Sequence, residues 1–136
     1  MSIDSSLVGA SSSPETFEVT REAVQRFMEA TEDPALYSDK PLEYAPPTFP
    51  TTFRMRLPGL ELDGSKMQLI HGEQQYEYTR KLRIGEKVTC VVRISHIRER
   101  SGESGTTWFV VLETTGSDSE QKPVFTGRST LIVRQK

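Results

Sequence analysis

Apolar and polar residues alternate through the second half of the chain with the period of two that is typical of β-strands. The first alternating run contains Tyr76 and Tyr78, and it is followed by a turn in which Gly85 can adopt a left-handed backbone conformation. Three longer strands are expected after this turn, over residues 88–95, 107–115 and 124–134. The second of these contains the run WFVVL, whose aromatic and β-branched content favours a central position in a sheet.

The first half of the chain shows a helical period instead. Thr20 is a suitable N-cap residue, and a helix is expected over residues 21–30. Its apolar stripe consists of Ala23, Val24, Phe27 and Met28, which are expected to lie on the core. The helix should end near Thr31, because Pro34 lacks a backbone donor and restrains the residue before it.

Residues 34–58 have the composition of a long loop, with six of the eight prolines of the chain. A loop of this length in a small domain is uncommon and is often functional. It contains the apolar residues Phe49, Phe53, Met55 and Leu57. A short helical turn over residues 51–55 could therefore tuck beneath the sheet. Together these elements predict an α+β domain in which an N-terminal helix and a long loop precede the main antiparallel strands.

Length, composition and charge limit the number of domains, the partners and the cellular location that can be expected. The 136 residues suffice for one core, with residues 1–14 predicted as a flexible, Ser-rich N-terminal arm and residues 15–136 as a single domain. A formal net charge of −2 and the lack of a bilayer-length apolar run argue against nucleic-acid and membrane partners. The single cysteine, Cys90, excludes an intrachain disulfide and favours a cytoplasmic location. No metal site is expected, because no second ligand stands at a suitable spacing.

Three short motifs occur in an order and spacing that are more specific than any one of them alone. They are APPTFP at 45–50, HGEQ at 71–74 leading into YEY, and LRIGEKV at 82–88. The chain resembles the MaoC-like dehydratases, and more narrowly their N-terminal, FAS1-dehydratase-like domain. The resemblance implies a hot-dog fold, in which an antiparallel sheet wraps around a short central helix and domains assemble in pairs. It also implies acyl-thioester substrates carried on CoA or acyl carrier protein, with no further cofactor.

Members of this family that hydrate 2-enoyl thioesters carry the pattern Y-A-x-x-T/S-G-D-x-N-P-x-H. Its Asp and His hold one water and act as general base and general acid. The resemblance places Asp33 at the catalytic aspartate, but the sequence that follows is one residue short and Tyr37 stands where the histidine belongs. Tyrosine ordinarily titrates near pH 10, which makes it a poor proton-transfer group at neutral pH. The catalytic pair is therefore expected to be broken.

Six residues remain as candidates for a site. Asp33 and His71 are the candidate catalytic residues, and Tyr37, Pro47, Thr48 and Phe49 are the candidate substrate-binding residues. Asp33 can also have a purely structural role, since an Asp before Pro commonly starts a turn. His71 can also position the backbone or pack at a subunit contact. His96 is expected to be half-buried, because it continues the apolar face of Val92 and Ile94 in the strand expected over residues 88–95.

Three functional hypotheses follow. The first is a hot-dog subunit of a 2-enoyl/(3R)-hydroxyacyl thioester dehydratase that binds the acyl chain, while a heterodimeric partner supplies the catalytic Asp and His. The second is a self-sufficient homodimeric hydratase or thioesterase-like enzyme that uses Asp33 or Glu32 with His71. The third is a non-enzymatic acyl-CoA-binding module. The chain is expected to be a homodimer or a heterodimer with a catalytic MaoC-like subunit, because a lone sheet of this size would leave apolar surface and a bare edge strand.

Overall fold

The structure is a computed structural model that describes residues 3–135 of the chain. Its helix and strands are β1 (Glu15–Glu18), α1 (Arg21–Ala30), β2 (Met67–Tyr78), β3 (Lys87–Gly102), β4 (Gly105–Ser117) and β5 (Pro123–Gln135). The strands form one antiparallel sheet in the order β1-β3-β4-β5-β2. The predicted α+β class is confirmed, and β4, which contains the WFVVL run, lies at the centre of the sheet as expected.

Helix α1 begins and ends where its local sequence predicts. The Thr20 hydroxyl accepts a hydrogen bond of 3.1 Å from the Ala23 amide, which satisfies one of the free donors of the first turn. At the other end the Thr31 amide donates to the Phe27 carbonyl, and the next residue leaves the helical conformation with a φ of 55°. Val24 and Met28 are buried, so the predicted apolar stripe faces the core.

The core lies on one face of the sheet, which we call the inner face. Helix α1 covers one half of this face, where Val24 and Met28 meet Val88, Cys90 and Phe125. Residues 50–62, which we call the cover segment, lie over the other half. This second half of the core contains Val92, Ile94, Trp108, Val110, Leu112 and Val133. The long loop therefore has a structural role, since it supplies half of the cover for the inner face.

The predicted flexible arm is docked against the sheet in the part that the structure describes. The Gly9 amide donates to the Ile94 carbonyl at 2.8 Å, and the Ser12 amide donates to the Val92 carbonyl at 2.8 Å. These bonds extend the sheet along the stretch of β3 that the four-residue strand β1 does not reach. The Ser-rich composition does not reveal this role, because β3 needs only backbone partners there. Residues 1 and 2 of the predicted arm lie outside the described part.

Two local predictions were wrong, one on the bounds of the short helical turn and one on the burial of His96. The short helical turn spans Phe49–Thr52 instead of residues 51–55. His96 is exposed instead of half-buried, because the pairing of β3 with β4 shifts between Ile94 and His96. This β-bulge inserts one residue, so the alternation of faces moves along by one position and Ile97 packs on the core in place of His96.

Arg80 forms hydrogen bonds that link the turn before β3 to the loop before β5. Its guanidinium donates to both Glu86 carboxylate oxygens, at 2.9 and 2.7 Å, and to an Asp118 carboxylate oxygen at 3.3 Å. Burial opposes ionisation of Glu86, but the bonds from Arg80 and from the Arg83 amide outweigh it and hold the pKa of Glu86 below its usual value. This bidentate contact stabilises two loops at the same end of the sheet.

Replacing Arg80 by alanine should lower the free energy of unfolding by about 1 to 3 kcal/mol, because Glu86 would lose its bidentate partner while remaining mostly covered. Arg26 is a matched control, since it makes a single ion pair with Glu22 in which both side chains are more than two-thirds exposed. Arg26→Ala should cost less than about 0.5 kcal/mol. Urea unfolding of both variants measures the difference, and equal losses would contradict a structural role for Arg80.

Acid should weaken the same contact. The pKa of Glu86 in the folded chain lies below the value of 4.5 that it has when unperturbed, so its contribution to stability is complete above about pH 4.5. The contribution is lost as the pH falls through the folded-state pKa. The stability difference between the wild type and Glu86→Gln, measured by urea unfolding, should therefore shrink between pH 7 and pH 3. A difference that stays constant over this range would show that folding does not lower the pKa of Glu86.

Candidate functional site

A cavity of about 280 Å³ lies between the inner face of the sheet and the cover segment. We call it the inner-face cavity. The cover segment contributes Pro50, Thr51, Phe53, Met55 and Leu57 to its wall, and the sheet contributes His71, Gln74, Tyr76, Val92, Leu112, Thr114, Phe125 and Ser129. These side chains are mostly apolar, with a few polar groups among them. Such a composition is typical of sites for small organic ligands.

A β-bulge in β2 turns two polar side chains into this cavity. His71 pairs with Leu131 and Gln74 pairs with Ser129, and the register shifts between them at Gly72. The extra residue allows both His71 and Gln74 to point to the inner face, although they are three positions apart. Gly72 itself faces Ile132, where an added Cβ would lie 2.9 Å from the Ile132 Cδ1 atom. A larger residue at this position would therefore require the end of the Ile132 side chain to move.

The inner-face cavity has a polar mouth and an apolar floor. His71, which lies on the edge strand β2, is exposed, and so is Thr51 of the cover segment. At the other end Val92 and Leu112 are 3% and 5% exposed, and Thr114, which pairs with Val92, is the polar residue beside them. The His71 Nε2 atom lies 3.1 Å from the Glu73 carbonyl oxygen, which fixes the ring at the mouth. A ligand that enters at β2 would therefore meet polar groups first and apolar groups deeper in the cavity.

The buried hydroxyl and thiol near this cavity remain protonated at neutral pH. Burial, with a smaller contribution from Cys90, raises the pKa of Tyr76 to about 12. Burial, with a smaller contribution from Glu15, raises the pKa of Cys90 to about 12. Tyr76 can therefore donate a hydrogen bond but cannot exchange protons at pH 7, and Cys90 is a core residue as predicted.

A second cavity, of about 380 Å³, lies among the C-terminal end of α1, the long loop and the C-terminal end of β2, and we call it the loop cavity. Its wall consists of Met28, Asp33, Ala35, Leu42, Tyr44, Ala45, Pro46, Pro47, Tyr78, Lys81 and Leu82. The Tyr78 hydroxyl donates to the Pro47 carbonyl. An Asp33 carboxylate oxygen accepts a 3.0 Å hydrogen bond from the Ala35 amide and caps the 3₁₀ turn Pro34–Tyr37.

The structure does not bring the candidate residues together. Asp33 and Pro47 line the loop cavity, whereas His71 lines the inner-face cavity. Tyr37 is 80% exposed at the end of its turn, and Thr48 is exposed as well. Phe49 is 2% exposed and packs edge-on against Phe27 and Phe53 in the core beneath α1, with ring centroids 5.7 Å apart in each case. None of Tyr37, Thr48 and Phe49 lines either cavity.

Sequence reasoning missed most of the wall of the inner-face cavity. Gln74 and Ser129 share the inner face with Tyr76 and Leu131 by simple alternation, whereas His71 turns inward only because of the bulge at Gly72, which leaves no signal in the amino-acid pattern. The residues of the cover segment did carry a signal, since Phe53, Met55 and Leu57 alternate with Arg54 and Arg56 as in a chain with one face on a core. This alternation predicts contact with the sheet but does not predict that the contact leaves a cavity.

Residues 3–135 contain neither a cluster of metal ligands nor a helix that could span a membrane. No three His, Cys, Asp or Glu side chains in this range lie close enough together to hold a metal ion. In the same range, no helix is long and apolar enough to cross a membrane.

Comparisons with known proteins agree on one family. A family model described as "FAS1-like, dehydratase domain region" matches residues 6–127. A UPF0336 protein of Thermobifida fusca is 34% identical over 137 residues, which cover 89% of this chain and 86% of that protein. Its name assigns no activity.

Solved structures show the same fold at low sequence identity. The C-terminally truncated HadBC (3R-hydroxyacyl-ACP dehydratase) complex of Mycobacterium tuberculosis contains a chain with a TM-score of 0.69 and 21% identity, covering 93% of this chain and 96% of that one. The ChsH1-ChsH2 complex of the same organism gives a TM-score of 0.66 and 17% identity, with coverage of 90% and 83%. The predicted hot-dog fold is confirmed by these matches.

Proposed function

Because the chain belongs to the FAS1-like dehydratase domain family, within the MaoC-like dehydratases, we propose that it is the acyl-binding, non-catalytic subunit of a 2-enoyl/(3R)-hydroxyacyl thioester dehydratase. The observation that carries this proposal is the inner-face cavity, with its polar mouth at the sheet edge and its apolar floor. An acyl thioester has the same polarity, since a carbonyl and a carrier arm follow an apolar chain. The acyl chain of the ligand would lie on Val92 and Leu112, with its thioester group at His71.

The cavity supports binding better than it supports catalysis. Hydration adds a water oxygen to one carbon of the double bond and a proton to the other, so it needs a base and an acid within reach of one water. Among the residues that line the inner-face cavity, only His71 and Tyr76 carry ionisable groups, and the pKa of Tyr76 is about 12. His71 alone is half of the required pair, and Asp33 lies in the other cavity.

The free edge of the sheet is the place where a partner would complete the site. Strand β2 is twelve residues long, pairs with β5 on one side only, and contains neither proline nor lysine to discourage further pairing. Leu69 and Ile70 on this strand are 47% and 44% exposed. The mouth of the inner-face cavity opens beside the same strand. A dehydratase subunit paired there would bring its own Asp and His to the thioester, as the two dehydratase-fold complexes named above are assembled from two subunits.

Acyl binding is tested by titrating the protein with octanoyl-CoA and with CoA alone in a calorimeter. We expect saturable binding of octanoyl-CoA, and its loss in Ser129→Phe, because a phenyl ring on the inner face would fill the cavity beside Gln74. Thr130→Phe is the matched control, since its side chain points to the outer face of the same strand. Equal affinity of both variants for octanoyl-CoA, or no binding by the wild type, would contradict the proposal.

Assembly at β2 is tested by sedimentation at micromolar concentration. We expect the protein to be a dimer, alone or with its partner subunit, and we expect Ile70→Lys to weaken the dimer by placing a charge on the exposed edge. Val8→Lys is the control, because Val8 is 45% exposed on the segment beside β3. A wild-type protein that stays monomeric both alone and with a catalytic subunit would refute pairing at this edge.

A further inference from the structure

We propose that the outer face of the sheet, at the end where β3 and β4 form their hairpin, binds an acidic segment of another protein. We call this part of the face the basic surface, and it consists of His96, Arg98, Arg100, Phe109, Ile132 and Arg134. The inference goes beyond the proposed function, because the inner-face cavity lies on the opposite face of the sheet. It is carried by the positive charge of this surface, by its unpaired arginines and by its apolar centre.

Strand pairing places these side chains in neighbouring rows across the outer face. Residues directly opposite each other in an antiparallel pair share a face of the sheet. The row through Arg98 continues to Phe109 on β4 and Ile132 on β5. The next row toward the hairpin turn contains Arg100 and Arg134, which are two strands and therefore about 10 Å apart. Three guanidinium groups thus surround two apolar side chains.

The arginines of the basic surface have no acidic partner within residues 3–135. Arg98, Arg100 and Arg134 are exposed, and none of them takes part in an ion pair in this range. Glu99 turns to the inner face, because it lies opposite Trp108. The formal net charge of the whole chain is −2. The basic surface is therefore a local concentration of uncompensated positive charge on a slightly acidic protein.

The other end of the outer face balances its charges on the same three strands. Arg93 and Arg128 lie on either side of Glu113 in one row. The Arg93 guanidinium donates to a Glu113 carboxylate oxygen at 3.0 Å. The two ends of one sheet face therefore differ in whether a carboxylate is supplied by the chain itself. At the basic surface, carboxylates of a partner can take that place.

The basic surface also has an apolar centre. Phe109 and Ile132 are half-buried, and the guanidinium carbon of Arg98 lies 4.5 Å from the centroid of the Phe109 ring. Arginine and aromatic side chains are enriched in protein–protein interfaces. A protein segment that carries carboxylates beside aliphatic side chains matches both the charge and the apolar centre. A nucleic-acid backbone matches the charge alone, and the net negative charge of the chain would repel a long polyanion.

The position of the basic surface limits the role of its partner. Pairing of a second subunit at β2 would extend the sheet sideways and leave the outer face uncovered. Two copies of the chain joined through this surface would bring like charges together, which disfavours such a contact. The partner is therefore a different, acidic protein. It holds this subunit from the outer face and does not reach a thioester in the inner-face cavity.

The test is binding of a synthetic peptide of about 20 residues that repeats Glu-Leu-Leu-Glu, measured by fluorescence anisotropy. We expect saturable binding that weakens as salt is raised, and no binding of the matching Lys-Leu-Leu-Lys peptide. Arg98→Gln/Arg100→Gln should bind at least about tenfold more weakly. Arg21→Gln/Arg26→Gln makes the same change in net charge at exposed positions of α1 and should bind like the wild type. Ile132→Thr should weaken binding of the peptide but not of poly-L-glutamate, because it removes only apolar contact.

Each other result contradicts the proposal. No binding of the acidic peptide by the wild type, or equal losses in the two double variants, would overturn the basic surface as a site. Tighter binding of phosphatidylglycerol vesicles or of a DNA duplex would assign it to a different class of partner. Self-association that Arg98→Gln/Arg100→Gln abolishes would assign it to a second copy of the chain. The same double variant should bind octanoyl-CoA like the wild type, so failure here and failure of the proposed function are distinguishable.

Discussion

Replacing Phe125 by alanine should lower the free energy of unfolding by about 3 to 5 kcal/mol. Phe125 is 2% exposed, and its ring packs against Tyr76 and Tyr78 with centroids 6.0 and 5.7 Å away. It also lies directly over Gly116 of the central strand, where an added Cβ would overlap the ring. Truncation would leave a hole between β4 and two aromatic side chains, and the rigid sheet could not close it.

Urea unfolding of Phe125→Ala measures this loss against a neighbouring control. Thr126 is the next residue on β5 and is exposed on the outer face, so Thr126→Ala should change stability by less than about 0.5 kcal/mol. Gly116→Ala alters the same contact from β4. It should also destabilise the protein, because the Phe125 ring would have to move. A loss below about 1 kcal/mol for Phe125→Ala would show that the ring is not part of the core.

The elements of this fold that have a strong local signal could be predicted from the sequence. Helix α1 has a capping hydroxyl at Thr20, an apolar stripe and a stop before Pro34, and each of these acts within a few residues. The central strand is recognisable from its aromatic and β-branched run. The docking of residues 9–12 on β3 has no such signal, because it depends on which length of β3 the short strand β1 leaves unpaired.

The candidate site could be predicted only in part, for a related reason. The family resemblance directed attention to residues 45–50, and the cavity does begin there, at Pro50. The remaining wall comes from the cover segment and from the inner face of β2, β3, β4 and β5, and the inward orientation of His71 depends on the bulge at Gly72. Bulges change which face a residue occupies without changing the sequence pattern, and the same effect made the expectation for His96 wrong. Geometry that depends on register was therefore not readable from one sequence.

The second large expected effect is on the rate at which the isolated chain hydrates enoyl thioesters. The isolated chain should hydrate enoyl thioesters at least about 10² to 10⁴ times more slowly than an intact dehydratase, since a positioned general acid or base contributes about that factor. Asp33→Asn should change little, because the Asp33 carboxylate caps a turn through the Ala35 amide and asparagine can do the same. The structure gives Asp33 and His71 no shared cavity in which to hold one water.

Restoring the family motif by one substitution should also fail. Tyr37 occupies the position of the catalytic histidine in the sequence, but its side chain is 80% exposed and lines neither cavity. A histidine at this position would point to solvent at the end of the turn Pro34–Tyr37. Tyr37→His should therefore leave the hydration rate unchanged within a factor of about ten. A large gain would show that residue 37 reaches the substrate in the assembled protein.

The most direct test of a binding subunit without its own catalytic pair is hydration of trans-2-octenoyl-CoA by the purified chain, followed by loss of the enoyl absorbance. Wild type, Asp33→Asn and His71→Ala are measured side by side, with an intact MaoC-like dehydratase as the positive control. We expect all three to be inactive or nearly so, with the wild type still binding the thioester. Robust wild-type turnover that either substitution abolishes would contradict this account and would identify the chain as a self-sufficient hydratase.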